Sequence, residues 1–184
     1  MTEEPVLTVA DAGAPLRFRH ADLLRYHGPG YPGGVAHAFK VLERALPLLS
    51  PHSPPERSGI AIRTCFTGPG ARDGFELVTR AVTGDRYHVD PGLARPERGT
   101  TLERYVFALS YGPAEVTLVI REGFVADEFI ALARSPARSA EEEGRLAVLK
   151  QEMADRLMAR PAPEVYDVVE PVHPSIAAGT GARP

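Results

Sequence analysis

Apolar residues recur every three or four positions in two long stretches of the chain, which is the spacing of an amphipathic helix. Between Gly34 and Pro51 they are Val35, Ala38, Phe39, Leu42, Leu46 and Leu49. In the second stretch they are Leu146, Leu149, Met153 and Leu157. Ser139 and Glu142 precede that stretch at the spacing of a capping box, so we predict a helix over about 139–159.

The first helix contains two positions with specific expectations. Pro47 should end or distort it, because proline lacks a backbone N–H and crowds the preceding turn. His37 falls opposite the apolar stripe, on the side of Lys40 and Arg44. We therefore expect the His37 side chain to lie in solvent.

Strand patterns occupy the middle of the chain. Residues 60–67 alternate between apolar and other side chains, which predicts a strand on which Cys65 faces the same way as Arg63. The runs 105–109 and 116–120 flank a Tyr-Gly-Pro-Ala turn and predict a hairpin. Shorter helices are expected over 71–83, with Asp73 and Glu76 in the first turn and Gly84 as the stop, and over 127–134.

These elements predict an α+β fold, in which a small mixed β-sheet is packed by helices and a C-terminal helix is added. We expect one domain over 1–160, with its core at about 16–135. The remaining residues, 161–184, are rich in proline and poor in large apolar side chains. We expect them to form a tail that is dispensable for folding, because they can bury little surface against the entropy of ordering.

Composition excludes several classes of protein. The 184 residues carry 21 Lys and Arg against 24 Asp and Glu, which gives a net charge of −3 without the basic surface that nucleic-acid binding needs. The single cysteine, Cys65, rules out an internal disulfide and a cysteine-rich zinc site. No stretch is apolar enough to span a membrane, and the start of the chain is acidic. We expect a cytoplasmic protein that binds neither nucleic acid nor membranes.

The segment 26–34 holds the densest run of glycine and proline and leads directly into the first long helix. Such a turn presents free backbone N–H groups and the positive end of a helix beside His27 and Tyr31, where an anion or carboxylate can bind. The alternative is a tight connection in which glycines only adopt unusual backbone angles. The spacing matches no nucleotide-binding fingerprint.

The order of these elements resembles the FmdE-like family, which takes its name from one of the subunits of formylmethanofuran dehydrogenase, over roughly residues 23–123. Members carry His-Gly-His-x-Cys-Pro-Gly in the first loop and Cys-Gly-x-Asp at the start of the second helix. Here His27, Pro32-Gly33 and Asp73 match, whereas Pro29 and Tyr31 replace the second His and the first Cys, and the other Cys is also replaced. The resemblance implies the family's α+β fold and a reworked version of its metal-binding loop.

The replacements leave the cofactor open. A divalent metal such as zinc would need Cys65 as a substitute ligand beside His27, but a lone cysteine on a strand is commonly a small apolar core residue. The C-terminal Cys-x-x-Cys extension of many relatives is absent, so we expect no structural metal in the tail.

Three functional hypotheses follow. The first is a domain that binds a small molecule or a metal, with a pocket formed by Gly28, Gly30, Gly33, Cys65, Asp73 and His88, in one-carbon or oxidoreductase-linked metabolism. The second is a metal-independent enzyme in which His27 is the acid or base and Tyr31 donates a hydrogen bond. The third is an accessory protein of a larger oxidoreductase. An uncovered face or edge of a small sheet also favours a homodimer.

Overall fold

The computed structural model describes residues 5–170. Its helices are α1 His20–His27, α2 Pro32–Leu49, α3 Pro69–Thr79, α4 Gly99–Leu102, α5 Asp127–Arg134, α6 Ala140–Met158 and α7 Ala162–Val165. Its strands are β1 Leu7–Asp11, β2 Ala14–Phe18, β3 Ile60–Thr64, β4 Tyr87–Val89, β5 Val106–Tyr111, β6 Ala114–Ile120 and β7 Tyr166–Val169.

The central sheet has five strands in the order β4-β3-β5-β6-β7. Strands β3 and β4 run parallel and the other neighbours are antiparallel, so the sheet is mixed. Helix α2 packs on one face of this sheet and is flanked by α3 and α6. Strands β1 and β2 form a separate hairpin. The predicted α+β fold, with a mixed sheet packed by helices, is confirmed.

Helix α2 runs past its internal proline. It continues through Pro47 to Leu49, and the N–H of Ser50 still donates to the carbonyl of Leu46 at 3.0 Å. Of the two effects expected of Pro47, that it ends the helix is therefore wrong. Because Pro47 lies within the last turn, the missing N–H removes only the bond to the Glu43 carbonyl, and the crowding affects a single turn.

The side of α2 that was expected in solvent is buried. His37 is fully buried and its Nδ1 lies 2.7 Å from the hydroxyl of Tyr166. Lys40 is also buried, and its Nζ donates to Glu43 at 2.7 Å. The prediction of an exposed His37 is wrong because α2 packs on the sheet on one side and on α6 and α7 on another. An apolar stripe identifies only one buried face.

Residues 161–170 belong to the domain, which corrects the predicted boundary at 160. Helix α7 buries Ala162 and Val165 completely, and β7 pairs with β6 with Tyr166 opposite Ile120. Tyr166 is fully buried in the core. Proline density suggested a tail, but here proline begins a short helix, and the following four residues complete the sheet. The part of the predicted tail beyond 170 lies outside the described residues.

The other helix predictions differ in detail. Helix α3 begins at Pro69, so Asp73 lies in its second turn. It ends at Thr79 instead of near Gly84, and the next residue, Arg80, caps it in a left-handed conformation with φ 54°. The helix over 127–134 and the capping box are confirmed, because Ser139 Oγ accepts from the Glu142 N–H at 3.2 Å. The β1–β2 hairpin and α1 were not predicted.

The second face of the sheet is covered by the chain itself. Cys65, Val106, Ala108 and Val119 form a small apolar cluster there with Leu93, and all of them are buried. The uncovered face that favoured a homodimer is therefore absent at these strands, and the dimer prediction now rests on the edge strands β4 and β7. No helix within residues 5–170 combines the length and apolarity needed to cross a membrane.

Candidate functional site

A cavity of about 360 Å³ opens between the first turns of α2 and α3 and the helices α5 and α6. Its volume lies within the range usual for small-molecule sites. Much of its surface is apolar, and the residues that contribute it are Phe66, Tyr105, Phe129, Ile130, Leu146 and Met153. These side chains come from the β3–α3 loop, the residue before β5, and helices α5 and α6, so the cavity assembles only when the domain folds.

The charged residues of the described chain that line this cavity are all basic: Arg104, Arg134, Arg138 and Lys150. Arg134 and Arg138 already have partners, since Arg134 lies 3.3 Å from Glu103 and Arg138 donates to Glu143 at 2.7 Å. The Arg104 side chain is exposed and makes no hydrogen bond or ion pair with residues 5–170. The cavity therefore holds positive charge that the surrounding side chains do not neutralise.

Two helix N-termini add to this positive potential. Helices α2 and α3 both begin with proline and lack a side-chain cap, and their first-turn glycines line the cavity. The first N–H groups of a helix have no partner within the helix, and this end carries partial positive charge. Such an end attracts carboxylate and phosphate groups.

The two helix starts are in contact, and glycine makes that contact possible. A Cβ on Gly70 would lie 2.6 Å from the Tyr31 carbonyl oxygen, and one on Gly34 would lie 3.1 Å from the Ala71 nitrogen. Both neighbours are backbone atoms and cannot rotate away. Gly34 and Gly70 therefore allow the two backbones to approach closely. This is a structural reason for part of the dense glycine pattern.

Tyr31 connects the predicted loop to the cavity. It is the N-cap residue of α2, its side chain is exposed, and it lines the cavity together with Gly33. The Lys150 Nζ lies 4.0 Å from the centre of the Tyr31 ring and 3.3 Å from the Gly30 carbonyl oxygen. Tyr31 and Gly33, two of the residues selected from the sequence, therefore lie in the cavity wall. The catalytic role of Tyr31 stays a prediction.

His27 and Asp73, which both match the family motif, are brought together. His27 Nδ1 lies 2.8 Å from Asp73 Oδ2, which links the end of α1 to α3. The next residue, Gly28, turns the chain with φ 87°. The His27 ring lies 5.7 Å from that of Tyr31, but neither His27 nor Asp73 lines the cavity. The pair fixes the loop that carries Tyr31; an acid or base role for His27 stays a prediction.

Cys65 and His88, which were predicted to wall the pocket, do not line this cavity. Cys65 is buried in the cluster on the second face of the sheet, where burial raises the pKa of its thiol. His88 is exposed on β4 opposite Arg63. Alternation placed Cys65 correctly on the Arg63 face, but it does not say which face the helices cover. Loop 26–34 lies with the helices on the other face.

Because Cys65 and loop 26–34 lie on opposite faces of the sheet, the predicted metal site has to be reconsidered. His27 and Cys65 do not converge, and in the part of the chain that the structure describes no three His, Cys, Asp or Glu side chains lie close enough to hold a metal ion. The substitute-ligand hypothesis, with zinc held by His27 and Cys65, is therefore not supported by the geometry.

Sequence reasoning missed the cationic half of the cavity. Arg104 and Lys150 stand in segments that carry no motif, and only the fold brings them near Tyr31. One signal was available: just two of the 21 basic residues are lysines, Lys40 and Lys150. The rarity of lysine would have marked Lys150 as an unusual position.

Comparisons with known proteins do not assign a family. No protein-family model matches the chain, and no curated protein matches it. The resemblance to the FmdE-like family thus rests on the sequence motif alone.

Proposed function

We propose that the protein binds a small organic anion in the cavity between α2, α3, α5 and α6. The ligand has an apolar, preferably aromatic, body and a carboxylate or phosphate group. The residues that line the cavity carry this proposal. Four basic side chains and two uncapped helix N-termini surround its apolar surface. No Asp or Glu among residues 5–170 lines the cavity.

The apolar surface of the cavity supplies binding energy but does not distinguish charged from neutral ligands. Burial of apolar surface contributes roughly 25 cal/mol per Å². An aromatic ligand ring also makes favourable offset or edge contacts with the aromatic side chains of the cavity. Phe66, Tyr105 and Phe129 provide such surfaces. A planar ligand of one or two rings fits these walls better than a highly polar metabolite.

The basic residues supply the selection for charge. Arg104 has no acidic partner among residues 5–170, so an incoming carboxylate does not have to displace one. A guanidinium can bind a carboxylate or phosphate through two parallel hydrogen bonds. Because the chain as a whole has a net charge of −3, the positive character of this cavity is a local feature and not a general property of the surface.

Calorimetric titration with naphthoate, naphthyl phosphate and the neutral naphthyl methanol tests this function. We expect both anions to bind at least tenfold more tightly than the alcohol. Arg104→Gln should weaken anion binding about tenfold, which corresponds to about 1.4 kcal/mol. Arg17→Gln is the matched control, because Arg17 is exposed on β2 and does not line the cavity.

The control should bind like the unchanged protein. Equal affinity for the anions and the alcohol would show that the cavity does not select anions. Unchanged binding in Arg104→Gln would show that Arg104 does not hold the acid group.

A further inference from the structure

Resting on the function proposed above, we propose that Lys150 is a reactive amine that forms an imine with a carbonyl compound bound in the cavity. The compound is an aldehyde or ketone that also carries a carboxylate or phosphate, such as an oxo acid or an aromatic aldehyde acid. This assigns the site a covalent chemistry in addition to binding.

The position of Lys150 suits an amine that meets a ligand. It projects from α6 into the cavity wall and is half-buried, with Nζ above the Tyr31 ring. Its hydrogen bond is to the Gly30 carbonyl at 3.3 Å, and it pairs with no carboxylate among residues 5–170. Glu143, the neighbouring acid, bonds to Arg138 instead.

The surroundings of Lys150 raise the fraction of neutral amine relative to that of an exposed lysine. Burial lowers the pKa of Lys150 below its ordinary value, the charge of Glu143 opposes this, and the charge of Arg138 adds to it. Only an unprotonated amine can attack a carbonyl carbon, so partial burial beside other cations is the environment in which reactive lysines occur.

The choice of residue type supports the same conclusion. All but two basic residues of the chain are arginines, whose guanidinium groups remain charged and do not act as nucleophiles. The other lysine, Lys40, is buried and held by Glu43. Lys150 is thus the one lysine in residues 5–170 that a cavity ligand can reach.

The reaction balances without a further reagent. The amine nitrogen attacks the carbonyl carbon, the C–N bond forms, and the carbonyl oxygen becomes the hydroxyl of a carbinolamine. That oxygen then leaves as water with both hydrogens of the amine, and a proton from solvent gives the iminium. The Tyr31 ring stabilises this cation through its face, and Arg104 holds the acid group of the carbonyl compound.

Reductive trapping tests the inference. The full-length protein is incubated with glyoxylate, with carboxybenzaldehyde or with the neutral benzaldehyde in cyanoborohydride, and peptide mass spectrometry locates the adducts. We expect Lys150 to be modified at least tenfold faster by carboxybenzaldehyde than by benzaldehyde, and naphthoate should protect it. The peptide with Lys40 should stay unmodified. Lys150→Arg should remove the main adduct.

The two proposals fail separately. If naphthoate binds the unchanged protein but Lys150 is modified no faster than free N-acetyl-lysine, the imine inference is overturned and the binding function stands. If naphthoate does not bind and Lys150 is not modified, both are overturned. Modification of Lys40 or the chain's α-amino group at the same rate as Lys150 would likewise overturn the inference.

Discussion

A chain that ends at Arg160 is expected to be largely unfolded, whereas a chain that ends at Glu170 is expected to keep the stability of the full-length protein. The first truncation removes α7 and β7, including Val165 and Tyr166, which are fully buried. Removing the side chain of one large core residue costs about 3–5 kcal/mol, and a domain has only about 5–15 kcal/mol in total.

Urea unfolding followed by circular dichroism measures this effect. The chain that ends at Glu170 is the control, because its missing residues hold few large apolar side chains. A cooperative transition of normal midpoint in the chain that ends at Arg160 would show that the last strand is not part of the folding unit.

The second large effect expected is a loss of stability as the pH falls below neutrality, caused by His37. Burial lowers the pKa of this imidazole from 6.5 to about 3. The unfolded chain takes up a proton near pH 6.5, but the folded chain does not until about pH 3. Above pH 6.5 the titration of His37 therefore costs the fold nothing. Between pH 6.5 and about pH 3 the free energy of unfolding falls by about 1.4 kcal/mol for each pH unit.

Urea unfolding at about pH 7, 6 and 5 tests this effect, in a range above the ordinary pKa values of Asp and Glu. His37→Gln removes the titration and should flatten the dependence on pH, even though it lowers stability overall. His52→Gln is the control, because His52 is exposed. An equally steep loss of stability in His37→Gln would show that another group causes it.

Local patterns in the sequence predicted those parts of the fold that local interactions determine. The stripe from Val35 to Leu49, the hairpin turn at Gly112 and the capping box at Ser139 all act over a few residues, and the structure contains each of them. The burial of His37 depends on Tyr166, 129 residues further along the chain. The spacing of apolar residues within α2 therefore could not predict that His37 is buried.

The candidate site also contains residues that local sequence patterns reveal and residues that only the fold brings together. Tyr31 and Gly33 were found because glycine and proline cluster within a few residues of them. Cys65 and His88 were also selected but do not line this cavity. Strand alternation defines two faces of a strand without telling which one the helices cover. Arg104 and Lys150 belong to segments that meet the loop only through folding. Two residues selected from the sequence, Tyr31 and Gly33, thus lie in the cavity wall, whereas its basic side chains were not selected.

The most direct test of the central claim is a titration of isotope-labelled protein with naphthoate, followed by NMR. The amides of Gly33, Gly34, Gly68 and Gly70 lie at the two helix starts that line the cavity. We predict that naphthoate shifts these signals together with that of the Arg104 side chain, and that naphthyl methanol shifts the glycine amides much less. Shifts confined to residues outside the cavity, or equal shifts with both compounds, would contradict it.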